Sequence, residues 1–85
     1  MKTKTIRVTA EDIRLGDASN IWSCPIALAA TRAFGARGVS VYPQYLAMGA
    51  IGDRQTLELP RKAKKFIAAF DSLHSVEPFA FRVNL

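Results

Sequence analysis

Arg61, Lys62, Lys64 and Lys65 set four cationic side chains within five residues, between Pro60 and the apolar Phe66, Ile67 and Phe70. Proline suits a first helical turn, so this stretch predicts a helix that starts at Pro60 or Arg61 and runs to about Leu73. Peptide dipoles place partial positive charge at that end, where Asp or Glu is the favoured residue. Cations there are either tolerated because the tertiary fold holds the helix, or kept because an anion sits among them. The chemistry on offer is capture of a phosphate or an acidic protein patch by first-turn N–H groups and side-chain charge. Arg61 and Lys65, four apart, could frame one such contact. The competing reading is a solvated face that aids solubility.

Other chemistry has thinner support. Cys24 stands at the start of a second expected helix, where a thiolate would be favoured, and His74 with Asp71 could complete a nucleophilic triad on paper. A lone Cys followed by Pro and an apolar helix is more often a small buried hydrophobe, and no catalytic residue is assigned. Metal binding would have to draw on Glu11, Asp12 and Asp17, but Asp12 reads as a helix start and Asp17 as a turn. Gly35, Gly38, Gly49 and Gly52 match no phosphate-cradling spacing. The expectation is a non-enzymatic protein with neither metal nor cofactor.

A second candidate surface is apolar. Trp22 precedes the main helix in a loop, while Tyr42, Tyr45, Leu46 and Met48 cluster around Pro43. Aromatics and Met are enriched at interface centres, so these five residues could receive a protein or a second copy of the chain. The alternative is that they complete a small core. Single-strand RNA readout on a sheet would need aromatics on the central strands, and the expected first and third strands have none. Phe79 and Phe81 alternate on the last strand, as core residues would.

The elements that must position these groups follow from hydrophobic period. Ile6 and Val8 alternate with polar residues from Thr5 to Ala10, the pattern of a half-buried strand. Thr9-Ala10-Glu11-Asp12 has the form of a capping box, giving one helical turn that Gly16 would stop. Pro25 opens the main helix, and the stretch Phe34 to Gly38 closes it; Ile26, Ala29, Ala30, Ala33 and Phe34 form its apolar stripe. Val39 to Tyr42 and Thr56 to Leu59 read as strands, with a turn expected at Gly49, Gly52 and Asp53. Phe79 to Leu85 alternates again. The order β-α-β-β-α-β predicts an α+β, ferredoxin-like fold: one four-stranded antiparallel sheet with two helices on one face; the alternative is a different α+β sheet order, since 43–55 could hold a hairpin or merely a loop.

Length and charge bound these readings. With 85 residues the chain makes one small domain, residues 1–85, and 49% hydrophobic content with 22% charged residues is ordinary for a folded protein. A domain this small is marginal alone, which favours a partner or a homodimer. Net charge is +5 from 12 basic and 7 acidic residues. The cluster at 61–65 supplies +4 of it, so basicity is a patch and not a general field. One cysteine excludes an intrachain disulfide, and no apolar run reaches the roughly 20 residues of a membrane span; a cytoplasmic protein is expected.

Cys24-Pro25-Ile26-Ala27-Leu28-Ala29 resembles the helix start of a group of short proteins from bacteriophages and high-GC bacteria. The likeness extends to Ile6, Val8, Thr9, Glu11, Asp12 and Ile13, to Leu59-Pro60 with Phe66, Ile67, Phe70 and Asp71, and to Val76, Pro78, Phe79 and Phe81. It implies a phage or mobile-element context, in which a small protein binds and blocks a host protein or nucleoprotein complex, as anti-CRISPR and other anti-defence inhibitors do. Such inhibitors are commonly acidic, and this basic chain departs from DNA mimicry. Direct binding of a protein or of a nucleic-acid phosphate backbone is what remains.

Overall fold

A computed structural model describes residues 2–35, 39–49 and 55–84. In chain order they form β1 (Thr3–Val8), α1 (Ala10–Leu15), α2 (Pro25–Phe34), β2 (Ser40–Val41), β3 (Tyr45–Met48), β4 (Gln55–Glu58), α3 (Arg61–Asp71) and β5 (Phe79–Asn84). The α+β class holds, but the single four-stranded ferredoxin-like sheet with two helices does not. Among the described residues there are three helices and two antiparallel sheets, β1–β5 and β2–β3–β4.

The difference lies in Tyr45 to Met48, whose apolar character is legible in a region, 43–55, that the sequence leaves open between a hairpin and a loop. These four residues form β3, which pairs with β2 on one side and with β4 on the other. In a ferredoxin-like order, the strand at 56–59 would instead lie beside the first strand. With its ladder to β3 made, β4 runs close to β5 without pairing to it. The expected turn at Gly52 and Asp53, and the residues Ala36 to Gly38 at the close of the main helix, lie outside the described residues.

β1 and β5 pair from Thr3↔Asn84 to Val8↔Phe79. Period two then sorts their faces: Ile6, Val8, Phe81 and Val83 are buried, while Thr5, Arg7 and Arg82 are exposed. α2 lies on the buried face, where its small Ala29 and Ala30 let helix and strand approach closely. Leu46 and Leu57 from the second sheet and Leu59 just beyond β4, with Ala63 and Phe66 from α3, join the same core. One hydrophobic cluster thus connects two sheets that share no ladder.

Local chemistry explains α1 and α2. Thr9 and Asp12 make the full capping box, each side chain accepting from the other's backbone N–H at 3.1 and 2.9 Å. Gly16 ends α1 for a reason other than a left-handed turn: its φ is −73°, and a Cβ there would stand 2.6 Å from the Pro25 ring. Cys24 caps α2, its Sγ accepting from the Ala27 N–H at 3.4 Å, and Gly35 closes it in the left-handed region. No described helix is long and apolar enough to cross a membrane.

Candidate functional site

The cationic cluster sits where the sequence places it. α3 begins at Arg61 with Pro60 as its cap, and no side chain accepts from the first turn. Ala63 and Lys64 N–H groups return to the Pro60 carbonyl, which leaves those of Arg61 and Lys62 as the unsatisfied pair expected at a helix start. Arg61, Lys62 and Lys65 are exposed and Lys64 is half-buried. The one ion pair among the described residues joins Arg32 to Asp12, so none of these four cations is neutralised there.

The fold adds two cations that sequence reasoning missed. Pro60 and Lys62 border a shallow hollow of about 500 Å³ that also takes in Thr5, Arg7, Ala80 and Arg82 of β1–β5, together with Phe81, which is buried. Register brings these together: Thr5 faces Arg82 and Arg7 faces Ala80 across the ladder. Lys62, Arg7 and Arg82 therefore come from three elements to one surface, and no carboxylate is among its described lining residues. Alternation already put Arg7 and Arg82 on the polar sides of their strands; the pairing of first strand with last was the missing step. Phe79 and Phe81 turn the other way, Phe81 buried and Phe79 stacked on it at 5.5 Å and on Phe66 at 4.8 Å. The outer face offers charge and hydrogen bonds but no aromatic platform for bases.

The apolar candidates separate. Leu46 is 0% exposed and belongs to the core, which removes it from any surface, and Met48 packs partly against that core. Strand pairing explains this, since Leu46 faces the buried Leu57 across the ladder. Trp22 and Tyr45 remain 55% and 38% exposed, and Tyr45 stacks on Tyr42 with centroids 4.8 Å apart. Asn20 shapes the Trp22 loop by accepting from the Trp22 and Ser23 N–H groups, and the Val41 N–H donates to the Ile21 carbonyl at 2.8 Å. That bond sets the tryptophan loop beside the strand leading to Tyr42.

The triad does not assemble among the described residues. His74 is exposed, and its N–H closes the end of α3 on the Ala69 carbonyl. Asp71 instead accepts from the Ser19 N–H at 2.8 Å. Burial pushes the Cys24 thiol up from its ordinary value, outweighing the Ala27 and Ile26 N–H groups that favour a thiolate, and the Asp71 charge adds to the push. The helix-start argument for a reactive thiolate thus loses to desolvation.

The acidic residues have structural partners. Asp12 receives a two-pronged contact from Arg32, Nη1 to Oδ1 at 2.9 Å and Nη2 to Oδ2 at 2.8 Å, while Nη2 also donates to the Arg7 carbonyl at 3.0 Å. The Arg32 hydrogen bonds hold the Asp12 carboxyl below the usual carboxylate range, against the opposing effect of burial. Asp17 accepts from the Ser23 hydroxyl at 3.0 Å. Among the described residues no group of three His, Cys, Asp or Glu side chains could hold a metal ion.

Comparison with protein-family models, curated proteins and solved structures finds no match to this chain.

Proposed function

We propose that this is a non-catalytic binding protein that holds a polyanion, foremost a nucleic-acid phosphate backbone, on the cationic face formed by Arg7, Lys62 and Arg82, with Arg61, Lys64 and Lys65 adding charge nearby on the first turns of α3. The observation that carries the reading is the convergence of the first three, from β1, α3 and β5, on one hollow bordered by no described carboxylate. Phosphate contacts of this kind position a nucleic acid without reading its bases, and the absence of aromatics on the outer strand face fits that mode. In a phage or mobile-element setting the target would be a host nucleoprotein complex, which the protein would engage and block.

A second reading keeps the host partner but makes it a protein surface, met by Trp22 with the Tyr42–Tyr45 stack. Their exposure favours it. Salt separates the two, because phosphate binding releases counterions and apolar binding does not.

The test is fluorescence anisotropy with a labelled 20-base-pair duplex of arbitrary sequence. Three phosphate contacts give a log–log salt slope near −2.7, so affinity should fall roughly 40-fold between 50 and 200 mM salt. Replacing Arg7, Lys62 and Arg82 together with Gln should flatten that slope, whereas Trp22→Ala should leave it alone. Wild-type affinity in the triple variant, or binding indifferent to salt, would refute the polyanion reading.

A further inference from the structure

A second concavity, chemically unlike the cationic face, lies between the inner side of α3, the start of α2 and the loop that precedes it. Its volume is about 240 Å³, and its walls include Ile21, Val41, Phe66, Ile67 and Phe70. Protein interiors pack as densely as organic crystals, and voids much larger than a water molecule are few in a domain. An apolar cavity of roughly 150 Å³ already stays dry and admits benzene. This one is larger, though open to solvent on one side as a groove is, and it occurs in a chain of 85 residues that has little core to spare.

One charged group lines it. Asp71, the last residue of α3, is held in place by the Ser19 N–H, a 2.8 Å bond across 52 positions of sequence. No cation is paired with it among the described residues, where the single ion pair is Arg32–Asp12. The thiol of Cys24 lies in the same wall, and the Asp71 charge reaches it. A partly exposed carboxylate at the rim of an apolar hollow, with no described cation paired to it, matches an occupant with an apolar body and a positive end.

We propose that this cavity binds a compact hydrophobic amine, its hydrocarbon part between Phe66, Phe70 and Val41 and its ammonium group at the Asp71 carboxylate. The volume lies below the roughly 300 Å³ at which pockets for drug-sized molecules begin, so the ligand is of fragment size. At ordinary ligand efficiencies such a molecule binds with a Kd of about 10 µM to 1 mM.

Three probes of similar shape and different charge test this: phenethylamine, toluene and phenylacetate. Each is titrated into the full chain while backbone amide shifts are followed by NMR. Cys24, the only cysteine, gives a second readout through its rate of alkylation by iodoacetamide. Phenethylamine should shift the amides of Ser19, Ile67 and Asp71, slow alkylation several-fold, and bind at least about tenfold more tightly than phenylacetate, as charge pairing in a partly dry site requires. Asp71→Asn keeps an acceptor for the Ser19 N–H; it should erase the preference for the amine and leave toluene binding as it was. Ile67→Trp should fill the space and end binding of all three, with a native-like spectrum showing that the chain still folds. Millimolar phenethylamine without effect on those amides overturns the proposal, and so does equal affinity for the amine and the acid.

Discussion

α2 and α3 are of nearly equal length, ten and eleven residues, and are stabilised by opposite means. α2 follows local rules at both ends: Cys24 caps it, Pro25 occupies its first turn, Arg32 lies in its last turn and Gly35 takes the left-handed position beyond it. α3 breaks them at its start and keeps them at its end only with a residue ill-suited to the position. Pro60 offers no side-chain cap, the first turn carries cations and no acid, and Leu73 adopts φ +61°, a region that suits glycine. A helix so poorly served at its start depends on what its inner face touches, here the stack of Phe66 on Phe70 and Phe79. Unfavourable charge left in place at such a start is consistent with the proposed polyanion face, where an acid that relieved the helix would repel a phosphate.

The largest expected effect comes from removing that inner support. Phe66→Ala should cost about 3–5 kcal/mol in urea denaturation, the usual range for a buried Phe. Its signature is in the distribution of the loss: amide exchange should accelerate throughout α3 before it does in α2. Simultaneous acceleration in both helices would break the contrast between them.

On the locally satisfied side, Asp12→Ala removes the half of the α1 capping box that accepts from the Thr9 N–H, and the partner of Arg32, in one step. A cap is worth about 1 kcal/mol and charged hydrogen bonds about 1.5–3; with Arg32 54% exposed, a total near 2–3 is expected. Acid should act in the same direction. The Asp12 carboxyl titrates lower in the folded chain than in the unfolded one, so its contribution is complete above the unfolded value of about 3.9 and disappears as pH falls through the lower folded value. Chemical denaturation from pH 5 down to 2 should show this decline, and Asp12→Asn should flatten it.

What the sequence disclosed divides along the same line. Thr9 with Asp12, Pro25, Gly35 and the start of α3 are signals carried by residues a few positions apart, and each element they mark is present. Arg7 and Arg82 could not be joined to Lys62, because the ladder that unites them pairs residues about 75 apart. The strand at Tyr45–Met48 was hidden by Pro43 and by apolar residues in succession, as its middle positions Leu46 and Ala47 are both buried and no alternation shows. Asp71 read as a possible catalytic neighbour of His74; its tie to Ser19 depends on how α3 meets the loop before α2.

A smaller effect should come from the far end of α3. Its last carbonyls are closed by the Leu73 N–H on Phe70 and the His74 N–H on Ala69, the Schellman pattern, with an exposed leucine at the left-handed position. Leu73→Gly removes the Cβ penalty there, partly offset by the greater freedom of glycine in the unfolded chain, and should stabilise by about 0.5–1 kcal/mol. A destabilised Leu73→Gly protein would mean that the leucine side chain has a packing role its exposure does not suggest.

The sharpest test exchanges stability for binding at one residue. Lys62→Glu puts an acid in the first turn of α3, where interaction with the helix dipole is worth about 0.3–1 kcal/mol at low salt. Lys62 is exposed, so no packing is lost. The variant should therefore melt slightly higher than wild type, by an increment that fades as salt is added. The same change places a carboxylate in the hollow with Arg7 and Arg82, and duplex affinity should fall by more than the neutral Lys62→Gln reduces it. Opposite signs in the two measurements would show that α3 carries its cations for the ligand. If Lys62→Glu stabilises the protein and duplex binding is untouched, the cations serve solubility alone, and the contrast between α2 and α3 is one of folding and not of function.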